Sequence, residues 1–135
     1  FFKGRIQARD DAIVFAGPDG MALPVPVEHR AALAPYRDKE VTLGIRPEDV
    51  GSASAEQVSG APRIRATVDV VETMGAESYV HLRLGDTAFI SRVDAHRRFR
   101  VNETVEAAVD TRKIHFFDPG TENLIGAADA AEGGR

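Results

Sequence analysis

Val-Thr-Leu-Gly-Ile-Arg-Pro-Glu, residues Val41–Glu48, sets apolar Val41, Leu43 and Ile45 against Thr42, Gly44 and Arg46. That two-residue period is the mark of a half-buried strand, whose successive side chains point to opposite faces. Pro47 ends it, because proline has no backbone N–H and a fixed φ, so the ladder cannot run through it. Arg46 is held towards extended geometry by the proline after it. Gly44, Arg46, Pro47 and Glu48 therefore read as a stiff corner at the end of an apolar strand, with opposite charges flanking the bend. The reading is structural rather than catalytic.

The same alternation runs outward in both directions. Ile13–Phe15 and Met21–Val25 are short apolar runs separated by Gly17-Pro18-Asp19-Gly20, a strong turn signal. Pro24 and Pro26 place the second run at a sheet edge. Glu28–Leu33 fits a brief helix, ended by Pro35 and too short to stand without packing on the sheet. Gly51–Pro62 is small, polar and without period, which predicts a loop or linker. Beyond it, Ile64, Ala66, Val68 and Val70 alternate with Arg65, Thr67 and Asp69, and Val80, Leu82 and Leu84 with His81 and Arg83. Gly85-Asp86 closes a tight hairpin into Thr87–Val93. Val105, Ala107 and Val109 predict a further strand, and Ile114 with Phe116 another. Many short strands with turn signals about every ten residues predict a sandwich or small barrel.

Composition narrows the function classes. The chain has 135 residues, 43% of them hydrophobic, enough to bury a core. Its net charge of -4 argues against a general nucleic-acid-binding surface. With no cysteine, disulfides and thiolate metal sites are excluded. No apolar run approaches the roughly 20 residues that cross a bilayer. The chain opens without Met, on an apolar pair, and is expected to be a piece of a longer cytosolic polypeptide.

Few side chains carry a chemical signature. Asp69, Glu72 and Glu77 are candidate paired acids, but nothing places a nucleophile beside them, and Met74-Gly75 reads as a loop or bulge between strands, with Gly75 at positive φ. His29, His81, His96 and His115 show no metal-ligand spacing. Arg92, His96, Arg97, Arg98 and Arg100 form one basic cluster around Phe99, a composition that can grip single-stranded nucleic acid. A solvated loop whose charges meet acids elsewhere, in this chain or in a neighbour, fits the acidic whole better. Phe116 and Phe117 must point to opposite faces of a strand. Phe116 shares the core face with Ile114, and Phe117 and His115 face out. No P-loop and no nucleophile elbow is present.

Three blocks gain meaning together: Leu43–Glu48; Val-Val-Glu-Thr-Met-Gly-Ala-Glu-Ser-Tyr-Val-His, residues Val70–His81; and Lys-Ile-His-Phe-Phe-Asp-Pro, residues Lys113–Pro119. In this order and spacing they resemble the C-terminal regulatory (TOBE-type) region of the ATP-binding subunits of sugar ABC importers, of the maltose and glycerol-3-phosphate types. Phe-Phe-Lys-Gly-Arg-Ile, residues Phe1–Ile6, resembles the start of that region, and the likeness extends to about Gly126. It implies an all-β fold, an OB-like, TOBE-type small β-barrel with a second packed β segment and one short helix. The expected organisation is a first β segment over 1–50 ending in the Leu43–Glu48 corner, a loop over 51–62, a second segment over 63–126 and a disordered tail over 127–135.

The resemblance also implies roles. Gly44, Arg46, Pro47, Glu48, Glu72, Gly75 and Glu77 would shape the barrel and its corner loops, and His115, Phe117 and Asp118 would contact other proteins. The piece itself is expected to be no enzyme and to bind no cofactor or metal. ATP and Mg belong to a nucleotide-binding domain preceding Phe1 in the full-length transport ATPase. The partners implied are a second copy of the ATPase subunit in a homodimer, permease subunits through the full-length protein, and a regulatory protein; no nucleic acid is expected. The implied location is cytoplasmic, peripheral on the inner face of the cell membrane. Two alternatives remain: a TOBE module sensing a small oxyanion or sugar, and an OB-type nucleic-acid-binding domain. The chain departs from the family at Asn102, where Gly is common in a turn, and after Asp118, which leaves the strand over Asn123–Ile125 less secure.

Overall fold

Ten strands and two short helices succeed one another along the described residues. They are β1 (Phe2–Arg9), β2 (Ala12–Ala16), β3 (Ala22–Pro24), α1 (Val27–Leu33), β4 (Glu40–Gly44), α2 (Ala53–Glu56), β5 (Arg63–Met74), β6 (Glu77–Leu84), β7 (Thr87–Asp94), β8 (Thr104–Ala108), β9 (His115–Phe117) and β10 (Leu124–Ile125). The structure is a computed structural model and describes residues 1–10 and 12–126. The tail expected to be disordered, 127–135, lies outside the described residues. The mostly β class is as the sequence implied. Two compact units divide the chain: Phe1–Gly44 with the chain from Ile114 onward, and Ile45–Lys113.

The first unit is built on one antiparallel sheet in the order β10-β9-β4-β1-β2-β3. Register aligns Phe2, Leu43, Phe116 and Ile125 across four strands. All four are buried, as are Ile6, Phe15, Leu23 and Val41 on the same face. Alternation alone puts them there, since each is flanked by residues of the other face. α1 adds Leu33 and His29 to this core, with the His29 ring edge-on to Phe116. The proline-bearing β3 is an edge strand, as expected, and β10 does form, pairing Leu124 with Phe117.

The second unit is a four-stranded antiparallel sheet, β7-β6-β5-β8. Ile64, Ala66, Val68, Val80, Leu82 and Leu84 supply its buried face. The predicted alternation breaks at one place. Register shifts between Val68 and Val70, so Val70 turns outward opposite His81 and is 49% exposed. A bulge adds one residue to one strand and flips the residues beyond it to the other face. Both hairpins close through two residues, Gly75-Ala76 and Gly85-Asp86, with φ of 67° and 61° at the glycine. A type II′ turn requires such a value at its first position, so Gly75 is where only glycine sits without strain.

Two expectations about organisation are corrected. The break between halves does not fall at Gly51–Pro62: the first unit ends at Gly44, and residues from Ile114 return to it as β9 and β10. The cause is the inner face of β4, where Leu43 takes Phe116 as its neighbour. Within 51–62, expected to be a loop or linker, Ala53–Glu56 forms the short helix α2. Ser52 Oγ accepts the Ala55 N–H at 3.2 Å and caps α2. Glu56 then accepts the Ala108 N–H at 3.2 Å and meets Arg63 at 2.6 Å.

Candidate interface on the first sheet

The outer face of β9, β4 and β1 arises from the same alternation that buries Phe116. His115 stands opposite Gly44, Phe117 opposite Thr42, and Thr42 opposite Lys3. His115 is exposed, whereas Phe117 is half-buried because Phe1 packs edge-on to it, with ring centroids 5.7 Å apart at 78°. Gly44 makes this possible. A Cβ there would stand 2.9 Å from Phe117 Cε2 and 3.0 Å from Phe1 Cε1. The glycine of the corner thus serves the aromatic pair by leaving space.

Asp118 pins the turn after β9. Its Oδ2 accepts the Tyr36 hydroxyl at 2.6 Å, and Oδ1 accepts the N–H groups of Gly120 and Thr121 at 2.8 and 3.0 Å. The Tyr36 bond, then those amides, hold its carboxyl below the usual carboxylate range, and the same bond pushes the Tyr36 hydroxyl up. Asp118 is therefore ionised and fixed. Phe1, Lys3, Glu40, Thr42, Phe117, Asp118, Pro119 and Glu122 line a shallow recess of about 580 Å³. Two aromatic rings form its apolar part, and three carboxylates face one ammonium. Such a surface can receive an apolar or cationic group from a partner. Among the described residues no group of three His, Cys, Asp or Glu side chains could hold a metal ion.

The other predicted positions fall apart into separate roles. Arg46 leads into a 3-10 turn over Pro47–Asp49, where Asp49 N–H donates to Arg46 O at 2.9 Å. Glu72, Gly75 and Glu77 lie instead on the β5–β6 hairpin. Glu72 meets His81 at 2.7 Å, and Glu77 meets Arg92 at 3.4 Å in an exposed ion pair of about 0–1 kcal/mol. The basic cluster is also divided. Arg92 belongs to Glu77, and Arg97 donates to Gly51 O while its guanidinium lies 5.0 Å from the Phe99 ring centroid.

Sequence reasoning missed His29 as a buried group. The residue is 8% exposed, and Nδ1 has no hydrogen-bond partner among the described residues. Nothing in a lone histidine on a seven-residue helix announces this. Burial pushes its imidazole below the ordinary value, Glu28 opposing and His115 adding to the shift. As pH falls below about 6.5, the unfolded chain takes up this proton before the folded one. Stability is therefore present in full above that value and declines below it, until the folded imidazole also protonates. Urea unfolding at pH 7.5 and 5.5 is expected to show a steeper loss for the wild type than for His29→Leu. Equal slopes would refute the assignment.

Residues 43–117 match the family model of the TOBE domain, and residues 1–50 match that of the MalK OB fold domain. The chain belongs to the TOBE domain family. The TOBE match runs from Leu43 through Phe117, so it takes in the corner, the hairpin and the outward aromatic of this TOBE protein. It is 40% identical over 67% of its length to the trehalose/maltose import ATP-binding protein MalK of Thermococcus litoralis, covering 25% of that protein. It is 34% identical over 90% of its length to the sulfoquinovosyl glycerol transport ATP-binding protein SmoE of Agrobacterium fabrum, covering 32%. To the oligosaccharides import ATP-binding protein MsmX of Bacillus subtilis it is 31% identical over 93%, covering 34%. The TOBE chain thus spans between a quarter and about a third of these relatives. In fold it is similar to the cytoplasmic molybdate-binding protein ModG with molybdate bound, at TM-score 0.66 and 22% identity over 87% of this chain and 94% of that one. No helix among the described residues is long and apolar enough to cross a membrane.

Proposed function

We propose that this chain is the regulatory and dimerisation domain of the ATP-binding subunit of an ABC importer for sugars or related solutes. The observation that carries the reading is the TOBE match over 43–117, joined to extended similarity to three import or transport ATP-binding proteins. On this reading ATP and Mg²⁺ belong to a nucleotide-binding domain preceding Phe1, and the full-length protein is a transport ATPase on the cytoplasmic side of the membrane, partnered by permease subunits. The domain itself carries out no reaction. It keeps two ATPase subunits joined while their catalytic halves open and close, so that each reclosure is an intramolecular event at high effective concentration. A regulatory protein that bound the open and closed states unequally would shift their balance through the same surface.

His115 and Phe117 are the contact residues on this reading, and Asp118 fixes the turn beside them. The charge of the recess supports a protein contact over the alternative of an oxyanion sensor, because three carboxylates against Lys3 repel an anion there. Sedimentation of the chain and of Phe117→Asp tests the proposal. Self-association is expected for the wild type and is expected to weaken about thirtyfold or more in the variant, as for an aromatic hot spot. A wild type that stays monomeric at high concentration would sink self-association through this domain.

A further inference from the structure

Among the described residues, the basic cluster leaves two guanidinium groups without an ion-pair partner. Arg98 and Arg100 are exposed and make no ion pair among the described residues. Next to them Val101 is 59% exposed. The loop that carries all three is tied down on both sides. Before the tip, Arg97 is bonded to Gly51 O and covers Phe99. After it, Asn102 N–H donates to Val68 O at 2.7 Å, and Val68 N–H donates to Glu103 O at 2.8 Å. Asn102 takes φ of 72°, the left-handed value the turn needs. Glu103, the next acid along the chain, accepts the Arg100 backbone N–H at 2.8 Å. An apolar side chain beside two arginines is thus presented by a loop whose ordering cost is already met in the folded chain.

The recess of the first sheet has the opposite character. Glu40 and Glu122 are exposed and make no ion pair among the described residues, and Asp118 is held as a carboxylate by its turn. The Phe1 and Phe117 rings lie beside these acids. Arginine suits both parts, since its planar guanidinium bonds carboxylates and stacks on aromatic faces.

We propose that the Arg98–Val101 loop of one copy seats in the Phe1–Phe117 recess of a second copy, with Arg98 and Arg100 against Glu40, Asp118 and Glu122. The proposal rests on the dimer reading above and names the surfaces that carry it. In a two-fold dimer the contact occurs twice, residue for residue.

Charge reversal on each side tests it, using exposed residues that no core interaction needs. One variant is Glu40→Arg with Glu122→Arg; the other is Arg98→Glu with Arg100→Glu. Each alone is expected to dimerise at least about tenfold more weakly than the wild type, as lost interfacial charge pairs do. Mixed one to one, they are expected to recover the wild-type sedimentation profile, because each reversed loop then meets a reversed recess. Added salt is expected to weaken both the wild type and the mixture. Wild-type dimers indifferent to both reversals would overturn the pairing and leave the dimer reading standing. Weakened variants that fail to recover on mixing would overturn it too, including the case in which only a chain carrying all four changes recovers. A wild type that never dimerises would remove both readings.

Discussion

Phe116→Ala is expected to lower stability by about 3–5 kcal/mol, the cost of emptying a fully buried phenylalanine site. Phe116 is 0% exposed and stands mid-row between Leu43 and Ile125. Its ring lies 6.1 Å from that of Phe15 and 5.2 Å from that of His29, so strand and helix neighbours lose packing together. The site cannot collapse cheaply, because those neighbours are fixed by the β2 and α1 backbones. β9 is only three residues long and its outer neighbour β10 only two. With so few backbone hydrogen bonds, packing at Phe116 is what keeps this edge of the sheet attached. Urea unfolding followed by far-UV circular dichroism measures the effect. Phe116→Leu is expected to lose less, because most of the volume remains. A loss below about 1 kcal/mol for alanine would mean that Phe116 is not the keystone of the row.

Gly51→Val is expected to cost about 3 kcal/mol in the second unit, from two causes that can be separated. Gly51 has φ of 70°, where a β-branched residue is strained. A Cβ there would also stand 2.7 Å from Ser91 Oγ and 3.4 Å from Ala107 Cβ. Ser91 is buried and its hydroxyl donates to Val50 O, so it cannot retreat without leaving a buried carbonyl unpaired. Gly51 is itself tied in, its N–H donating to Ala108 O at 2.7 Å. Gly60 is the control: its φ is 73°, and nothing lies within 4 Å of the Cβ it would gain. Gly60→Val is expected to show the backbone strain alone, about 1–2 kcal/mol. Thermal or urea unfolding of both variants gives the comparison. Equal losses would show that the crowding at Ser91 relaxes freely.

Much of the fold was legible because it is written in alternation. Val41, Leu43, Val80, Leu82 and Leu84 sit on the faces their period assigns, and the hairpin at Gly85-Asp86 and the edge strand carrying Pro24 are where turn and proline chemistry put them. The bulge after Val68 was not legible, because it goes with hydrogen bonds far along the chain, Val68 O accepting the Asn102 N–H and Val68 N–H donating to Glu103 O. Composition misread Ser52: in a serine-rich stretch its use as a helix cap depends on the backbone conformation of the next three residues. At the candidate interface, period gave the outward His115 and Phe117, and the family likeness suggested Asp118. Lys3, Glu40, Thr42 and Glu122 join them only through strand register and a turn, which no local pattern announces. The fate of the arginine cluster was equally hidden, since Gly51 O and Glu77 reach Arg97 and Arg92 only in the folded chain.

The interruption of the first unit by Ile45–Lys113 also dictates an order of events during synthesis. Gly44 and His115, partners in the β4–β9 ladder, bracket a complete second core in the nascent polypeptide. Everything the second sheet needs leaves the ribosome before Phe116 does, whereas Phe2, Phe15 and Leu43 must wait for the residues that follow Lys113. Until then the β4 edge is unprotected, a template for pairing with other nascent chains. Messages truncated between Lys113 and Phe117 would therefore yield one finished module and one sticky half-sheet, the kind of product that quality-control proteases recognise.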